Sequence, residues 1–225
     1  MKDFHPDFLG ETARRIGLKR YPNTRQFVVQ HLYPDTLRLL LLLQDFVPIE
    51  CVVGIGYSGN DAVVEALRSA GIRVVTPTFA DLEDTVREEL ARCLDFCQTN
   101  KHRLVLHEVG GYAIKALHEH FAEACATVVG AIEVTKQGVW AAQALPRLRI
   151  PQVNCAQTRL KEIEGGMVGE AVVSSLDNIL REMGFAMVGR EALVYGYGWV
   201  GRGTANSLRQ RGMRVSVNDL SLIHI

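Results

Sequence analysis

Three glycines and one aspartate carry the clearest chemistry in this chain. Gly196, Gly198 and Gly201 follow an apolar run, Leu193 to Tyr195, and precede an amphipathic stretch. A β-rich run, Val215 to Val217, then ends at Asp219. This order of strand, glycines, helix, strand and acid is that of a dinucleotide-binding βαβ unit. In such a unit Gly196 permits a sharp turn out of the strand and Gly198 lets backbone N–H groups approach a pyrophosphate. Gly201 lets helix and strand pack closely, and Trp199 and Val200 complete the cofactor loop. The helix N-terminus faces the anion. Asp219 lies 23 residues beyond Gly196, where a carboxylate accepts both ribose hydroxyls. An acid there selects NAD over NADP, whose 2′-phosphate it would repel.

A second set of glycines, Gly54, Gly56 and Gly59, has the same spacing and also precedes a helical stretch. The equivalent step from Gly54 reaches Pro77, and the run Ile72 to Thr76 before it holds no carboxylate. The ribose-binding half of the signature is missing, so these glycines are expected to form a strand-to-helix turn lining a substrate cleft. Five scattered cysteines, Cys51, Cys93, Cys97, Cys125 and Cys155, read as reduced thiols, with no partner spacing that would build a metal site.

The elements that must position these residues alternate along the chain. Strands are expected near Gln26 to His31, Cys51 to Gly56, Ile72 to Thr76, Arg103 to His107, Thr127 to Glu133 and Gln152 to Asn154. Helical stretches lie near Asp35 to Gln44, Asp61 to Ser69, Asp81 to Cys97, Ala113 to Ala124 and Gly138 to Ala144. Such alternation predicts an α/β protein with a doubly wound, mostly parallel sheet. Residues 1–25 read as an arm or short helix and 26–157 as a substrate-type α/β domain. Residues 158–186 read as a linking helix, and 187–225 as the first βαβ unit of a Rossmann NAD-binding domain. The pair Gly165-Gly166 is expected to interrupt the linking helix, as a hinge or a point of close approach.

Lys plus Arg equals Asp plus Glu, 25 each, so no net field draws the chain to nucleic acid or acidic lipid. The longest apolar run, Leu39 to Leu43, is far too short for a membrane span, and the N-terminus lacks the layout of a signal peptide. A cytoplasmic protein with a small-molecule substrate is expected. The sequence stops six residues after Asp219. Two strands and one helix leave a sheet uncovered, so the chain is expected to be a fragment, with Leu220 to Ile225 outside the native reading frame.

From Asn154 onward the chain resembles the adenosylhomocysteinase family. The resemblance rests on Pro151-x-x-Asn154, the long helix after it, and VYGYGWVGRG followed by Asp219, with weaker matches back to about residue 26. It implies tightly held NAD that oxidises a nucleoside 3′-hydroxyl transiently during net cleavage of S-adenosylhomocysteine or a related substrate, in a homo-oligomer when full length. By the same resemblance His31 and Lys161 are catalytic, Lys161 helping to deprotonate the 3′-hydroxyl. Thr36, Glu108 and Glu133 bind substrate, Thr135 touches NAD, and Ser58, Asn60 and Asp61 fall where the family has S-T-Q-D. The chain departs from the pattern where Val109 and Val134 replace acids, Gly165-Gly166 replaces an Asp-Asn pair, and Glu170 replaces a cysteine. Two other readings stay open: an NAD-dependent two-lobed dehydrogenase, and a non-catalytic NAD-binding regulator that has lost the hydrolase residues.

Overall fold

The computed structural model describes residues 7–220; residues 1–6 and the closing stretch 221–225 lie outside the described residues. The chain divides into two compact units between Ala156 and Gln157.

The first unit opens with helix α1, Phe8–Arg15, whose N-cap Asp7 accepts the Gly10 N–H at 2.9 Å. The strands and helices that follow are β1 (Thr24–Gln30), α2 (Pro34–Gln44), β2 (Ile49–Gly54), α3 (Asp61–Ser69), β3 (Arg73–Val75), α4 (Leu82–Thr99), β4 (Arg103–Glu108), α5 (Tyr112–His120), β5 (Val128–Glu133), α6 (Lys136–Ala144) and β6 (Gln152–Asn154). The six strands form one parallel sheet in the order β3-β2-β1-β4-β5-β6. The order reverses between β1 and β4, and ligands of open α/β sheets bind outside the strand carboxyl ends at such a switch point.

Because side chains alternate across a strand, each central strand feeds two cores. Phe27 and Val29 of β1, Val53 of β2 and Leu104 and Leu106 of β4 pack with α4, α5 and α6. Val28, Val52 and Val74 face the other way, against Leu40 of α2 and Val63, Val64 and Leu67 of α3. The stretch expected as one helix from Ala113 to Ala124 ends instead at His120. Phe121 leaves the helical region (φ −132°, ψ 36°), and a 3₁₀ segment, Ala122–Thr127, leads into β5.

The second unit holds α7 (Arg159–Glu182), β7 (Glu191–Tyr195), α8 (Trp199–Gln210) and β8 (Arg214–Asn218), with β7 and β8 paired in parallel. The linking helix therefore belongs to this unit, and Val173 shares a small core with Met187, Val194, Ala205 and Leu208. The expected interruption at Gly165-Gly166 is absent: α7 runs through both glycines. A Cβ on Gly165 would meet Trp199 Cβ at 2.6 Å, one on Gly203 would meet Gly165 O at 2.8 Å, and one on Gly169 would collide with the Gly203–Thr204 backbone. Gly165, Gly169 and Gly203 let α7 and α8 approach backbone to backbone, whereas a Cβ on Gly166 would meet nothing within 4 Å. Glu170 ties the helices together: Arg211 donates to it at 2.6 Å, Ser207 donates to its other oxygen, and together they hold its carboxyl down to about 2.

Candidate functional site

In the second unit, β7 delivers the chain to Gly196 at φ +89°, a conformation that only glycine adopts without strain, so the turn out of the strand requires this residue. A Cβ on Gly201 would collide with Gly196 O, so α8 can begin against the loop only with glycine there. Gly198 differs. It is exposed, its φ of −67° suits any residue, and a Cβ there would meet nothing within 4 Å. This open position caps α8 without a side-chain hydrogen bond, which leaves the helix N-terminus facing outward beside Trp199 and the exposed Val200. Asp219, at the end of β8, accepts the Tyr197 N–H through Oδ2 and so lies against the same loop. Arg202 donates to Tyr197 O at 3.2 Å, with its guanidinium 5.8 Å from the Tyr197 ring centre. The donor set, the positive helix end and the open glycine fit a dinucleotide pyrophosphate.

Lys161 lies in the first turn of α7 with a carboxylate for its partner: Nζ donates to Glu164 Oε1 at 2.7 Å. Its own N–H is capped by Thr158 Oγ1 at 3.4 Å.

In the first unit His31 stands just beyond the carboxyl end of β1, half-buried, and burial lowers its pKa from 6.5. Its Nδ1 lies 2.7 Å from Ser58 Oγ. Tyr33 stacks on the ring at 5.8 Å between centres, Tyr57 leans on it at 5.5 Å, and Phe79 continues the row 5.9 Å from Tyr57. All three aromatic rings are exposed. Thr36 is half-buried early in α2. Asn60 caps α3 through Ala62 N and Val63 N, at 3.0 and 3.2 Å. Neither the Ser58 contact nor the aromatic row was found from sequence, because both join residues from separate loops; only their common place after strand ends could have hinted at it.

Glu108 and Glu133, expected on substrate, are both fully buried, in register at the ends of β4 and β5. Glu108 accepts Ala113 N at 2.6 Å and Ile114 N at 3.1 Å, capping α5 from beneath. Burial, and next the charge of Glu133, push its carboxyl up to about 8 against those two donors. Glu133 Oε1 takes Thr135 N and Thr135 Oγ1, each at 2.7 Å, and Gly110 N at 3.2 Å, while Oε2 is buried without a hydrogen-bond partner. Thr135, expected beside NAD, instead caps α6: its hydroxyl also accepts Gly138 N at 3.2 Å and Gly110 N at 3.0 Å. Val109 is buried in the main core and Val134 packs against it, so the two positions that lack family acids serve packing. Among the described residues no group of His, Cys, Asp and Glu is placed to hold a metal, and no helix is long and apolar enough to cross a membrane.

Residues 170–224 match the family described as S-adenosyl-L-homocysteine hydrolase, NAD binding domain. The chain is 31% identical over 166 residues to adenosylhomocysteinase of Thermotoga maritima, an alignment spanning 72% of this chain and 39% of that protein. It is 31% identical over 170 residues to adenosylhomocysteinase of Sulfurisphaera tokodaii, 73% of this chain and 38% of that one. To S-inosyl-L-homocysteine hydrolase of Methanopyrus kandleri it is 28% identical over 169 residues, 74% and 38% of the respective chains. It thus spans under two fifths of the length of the curated relatives it matches.

Proposed function

We propose, from the premise that this chain is a divergent member of the adenosylhomocysteinase family, that its second unit holds the adenosine and pyrophosphate part of NAD. The first unit then offers a nucleoside-type substrate a crevice at the β1/β4 switch point. The observation that carries the reading is the division of labour among three glycines: Gly196 turns, Gly201 packs, and Gly198 stays open at the start of α8. Asp219 positions the loop through Tyr197 N–H and, from the end of β8, is the acid this reading assigns to the ribose. Bound NAD supplies a hydride acceptor for a substrate hydroxyl. His31 offers an imidazole at the substrate crevice, and the resemblance assigns help in deprotonating the hydroxyl to Lys161, whose ammonium here donates to Glu164. S-adenosylhomocysteine or a related nucleoside is the substrate class this membership favours, in a homo-oligomeric cytoplasmic protein.

A second reading, an NAD-binding regulator without turnover, is favoured by one specific observation. The carboxylates that end β4 and β5, Glu108 and Glu133, are fully buried and taken up by the start of α5 and the loop before α6. Thiol release from S-adenosylhomocysteine by the full-length protein separates the two readings.

Calorimetric titration with NAD and NADP tests the cofactor assignment. NAD should bind at least tenfold more tightly, about 1.4 kcal/mol. Asp219→Asn keeps an acceptor for Tyr197 N–H but removes the charge, and should narrow the preference. Tighter binding of NADP, or an unchanged preference in Asp219→Asn, overturns the role given to Asp219.

A further inference from the structure

The space at Gly54 and Gly56 is filled by the chain itself, and the turn they build seats one side chain, Ser58, beneath the end of β1. A Cβ on Gly54 would meet Leu32 Cδ1 at 2.6 Å, and one on Gly56 would collide with Pro77 O, so both glycines are filled around by the chain itself. The resulting 3₁₀ turn, Gly56–Ser58, holds Ser58 N–H 3.0 Å from Ile55 O and buries the hydroxyl.

A serine hydroxyl has one hydrogen to donate and lone pairs to accept with. Ser58 Oγ lies 2.9 Å from Ile55 O, which can only accept, and 2.7 Å from His31 Nδ1. With the hydroxyl hydrogen on Ile55 O, Nδ1 must carry the imidazole proton and donate it to Oγ, and both short contacts become hydrogen bonds. The opposite arrangement, Oγ–H to Nδ1, makes one bond and sets two acceptor oxygens against each other at 2.9 Å. The count favours the first. Nε2 then holds the lone pair, and no protein group among the described residues engages it. Tyr33 of the same loop and Tyr57 of the turn that carries Ser58 pack on the ring from two sides.

We propose that Ser58 is a positioning residue that locks neutral His31 in its Nδ1–H form, presenting Nε2 as a hydrogen-bond acceptor to a hydroxyl- or N–H-bearing ligand at the β1/β4 switch point. Burial of His31, which disfavours the imidazolium, works in the same direction. The proposal rests on the reading that this end of the sheet is the substrate crevice, but its test needs neither nucleoside nor dinucleotide.

Long-range ¹H–¹⁵N correlation spectra of the ¹⁵N-labelled full chain at about pH 8, where imidazole is neutral, read the tautomer directly. The His31 signals are identified by their loss in His31→Gln. Wild type should show Nδ1 protonated and Nε2 bare. Ser58→Ala should shift the tautomer ratio about fivefold or more toward Nε2–H, and Ser58→Thr, which restores a hydroxyl, should recover the wild-type pattern. A wild-type His31 protonated on Nε2 overturns the proposal without any variant, and so does an Nδ1–H pattern that persists in a folded Ser58→Ala. Failure of NAD binding or of nucleoside turnover would overturn the functional reading while leaving this tautomer result standing.

Discussion

Glu133→Gln isolates the effect of one buried charge on another. Glu108 and Glu133 end neighbouring strands in register, neither has exposed surface, and Glu108 is raised from 4.5 to about 8 by burial first and by Glu133 second. A rise of that size is ~5 kcal/mol of preference for the protonated form in the folded chain. The folded pKa is the higher one, so the folded state retains a proton that the unfolded chain has lost. The associated stability is complete below about pH 4.5 and is lost progressively as pH rises through about 8, at no more than ~1.4 kcal/mol per pH unit. Glutamine at 133 keeps an oxygen for Gly110 N, Thr135 N and Thr135 Oγ1, removes the charge, and sets an amide NH2 at the buried, unpartnered Oε2 position, a cost that does not vary with pH. Glu108 should then titrate about one unit or more lower, and the stability of the variant relative to wild type should rise by ~1 kcal/mol or more between about pH 4.5 and 8. Carboxyl ¹³C titration of Glu108 reads the first effect, and urea unfolding of both proteins between about pH 5 and 9 reads the second. An unaltered Glu108 titration in the variant, or a stability difference that does not grow with pH, would refute the coupling.

The glycines of the two loops give the remaining predictions. Gly198→Ala should fold with stability within about 1 kcal/mol of wild type, since its φ and surroundings admit a methyl group, yet lose at least tenfold in NAD affinity because backbone approach is blocked. Gly201→Ala should lose both, costing ~2–4 kcal/mol through the collision with Gly196 O; a thermal melt beside calorimetry distinguishes the two variants. Gly56→Ala should destabilise the first unit by a similar ~2–4 kcal/mol through Pro77 O, yet leave NAD affinity at the second unit within twofold or so. A Gly56→Ala protein that is folded but has lost NAD would show that the first loop binds cofactor after all.

The sheet was legible because buried parallel strands are apolar on both faces. Runs such as Phe27-Val28-Val29 and Cys51-Val52-Val53 announce this without any periodicity to resolve. Of the two three-residue strands, β6 lies where expected, Gln152–Asn154, while β3 spans Arg73–Val75 where Ile72 to Thr76 was expected. The orientation of Glu108 was available and overlooked. Leu104, Leu106 and Glu108 alternate along one strand, so a carboxylate at the third position shares the face of two core leucines. Ala131 and Glu133 repeat the lesson on β5. No such signal exists for Ser58 and His31, which lie 27 residues apart and meet only after two loops have folded. The small-residue spacing Gly165, Gly169 and Gly203 did hold a readable packing signal, but a glycine pair in a helix reads first as a break when its partner helix is unknown.

Two loops with one glycine pattern thus do opposite work, and the difference lies in what occupies the space each glycine leaves. At the first loop Leu32 and Pro77 fill it, and Asn60 takes the first free N–H groups of the following helix, so an anion would find neither room nor donors. At the second, nothing approaches Gly198, no side chain caps α8, and a carboxylate from the next strand grips the loop from below. The space beside Gly198 and the uncapped start of α8 are what the proposed NAD site draws on, whereas Gly54 and Gly56 are spent inside the protein on seating a serine under a histidine.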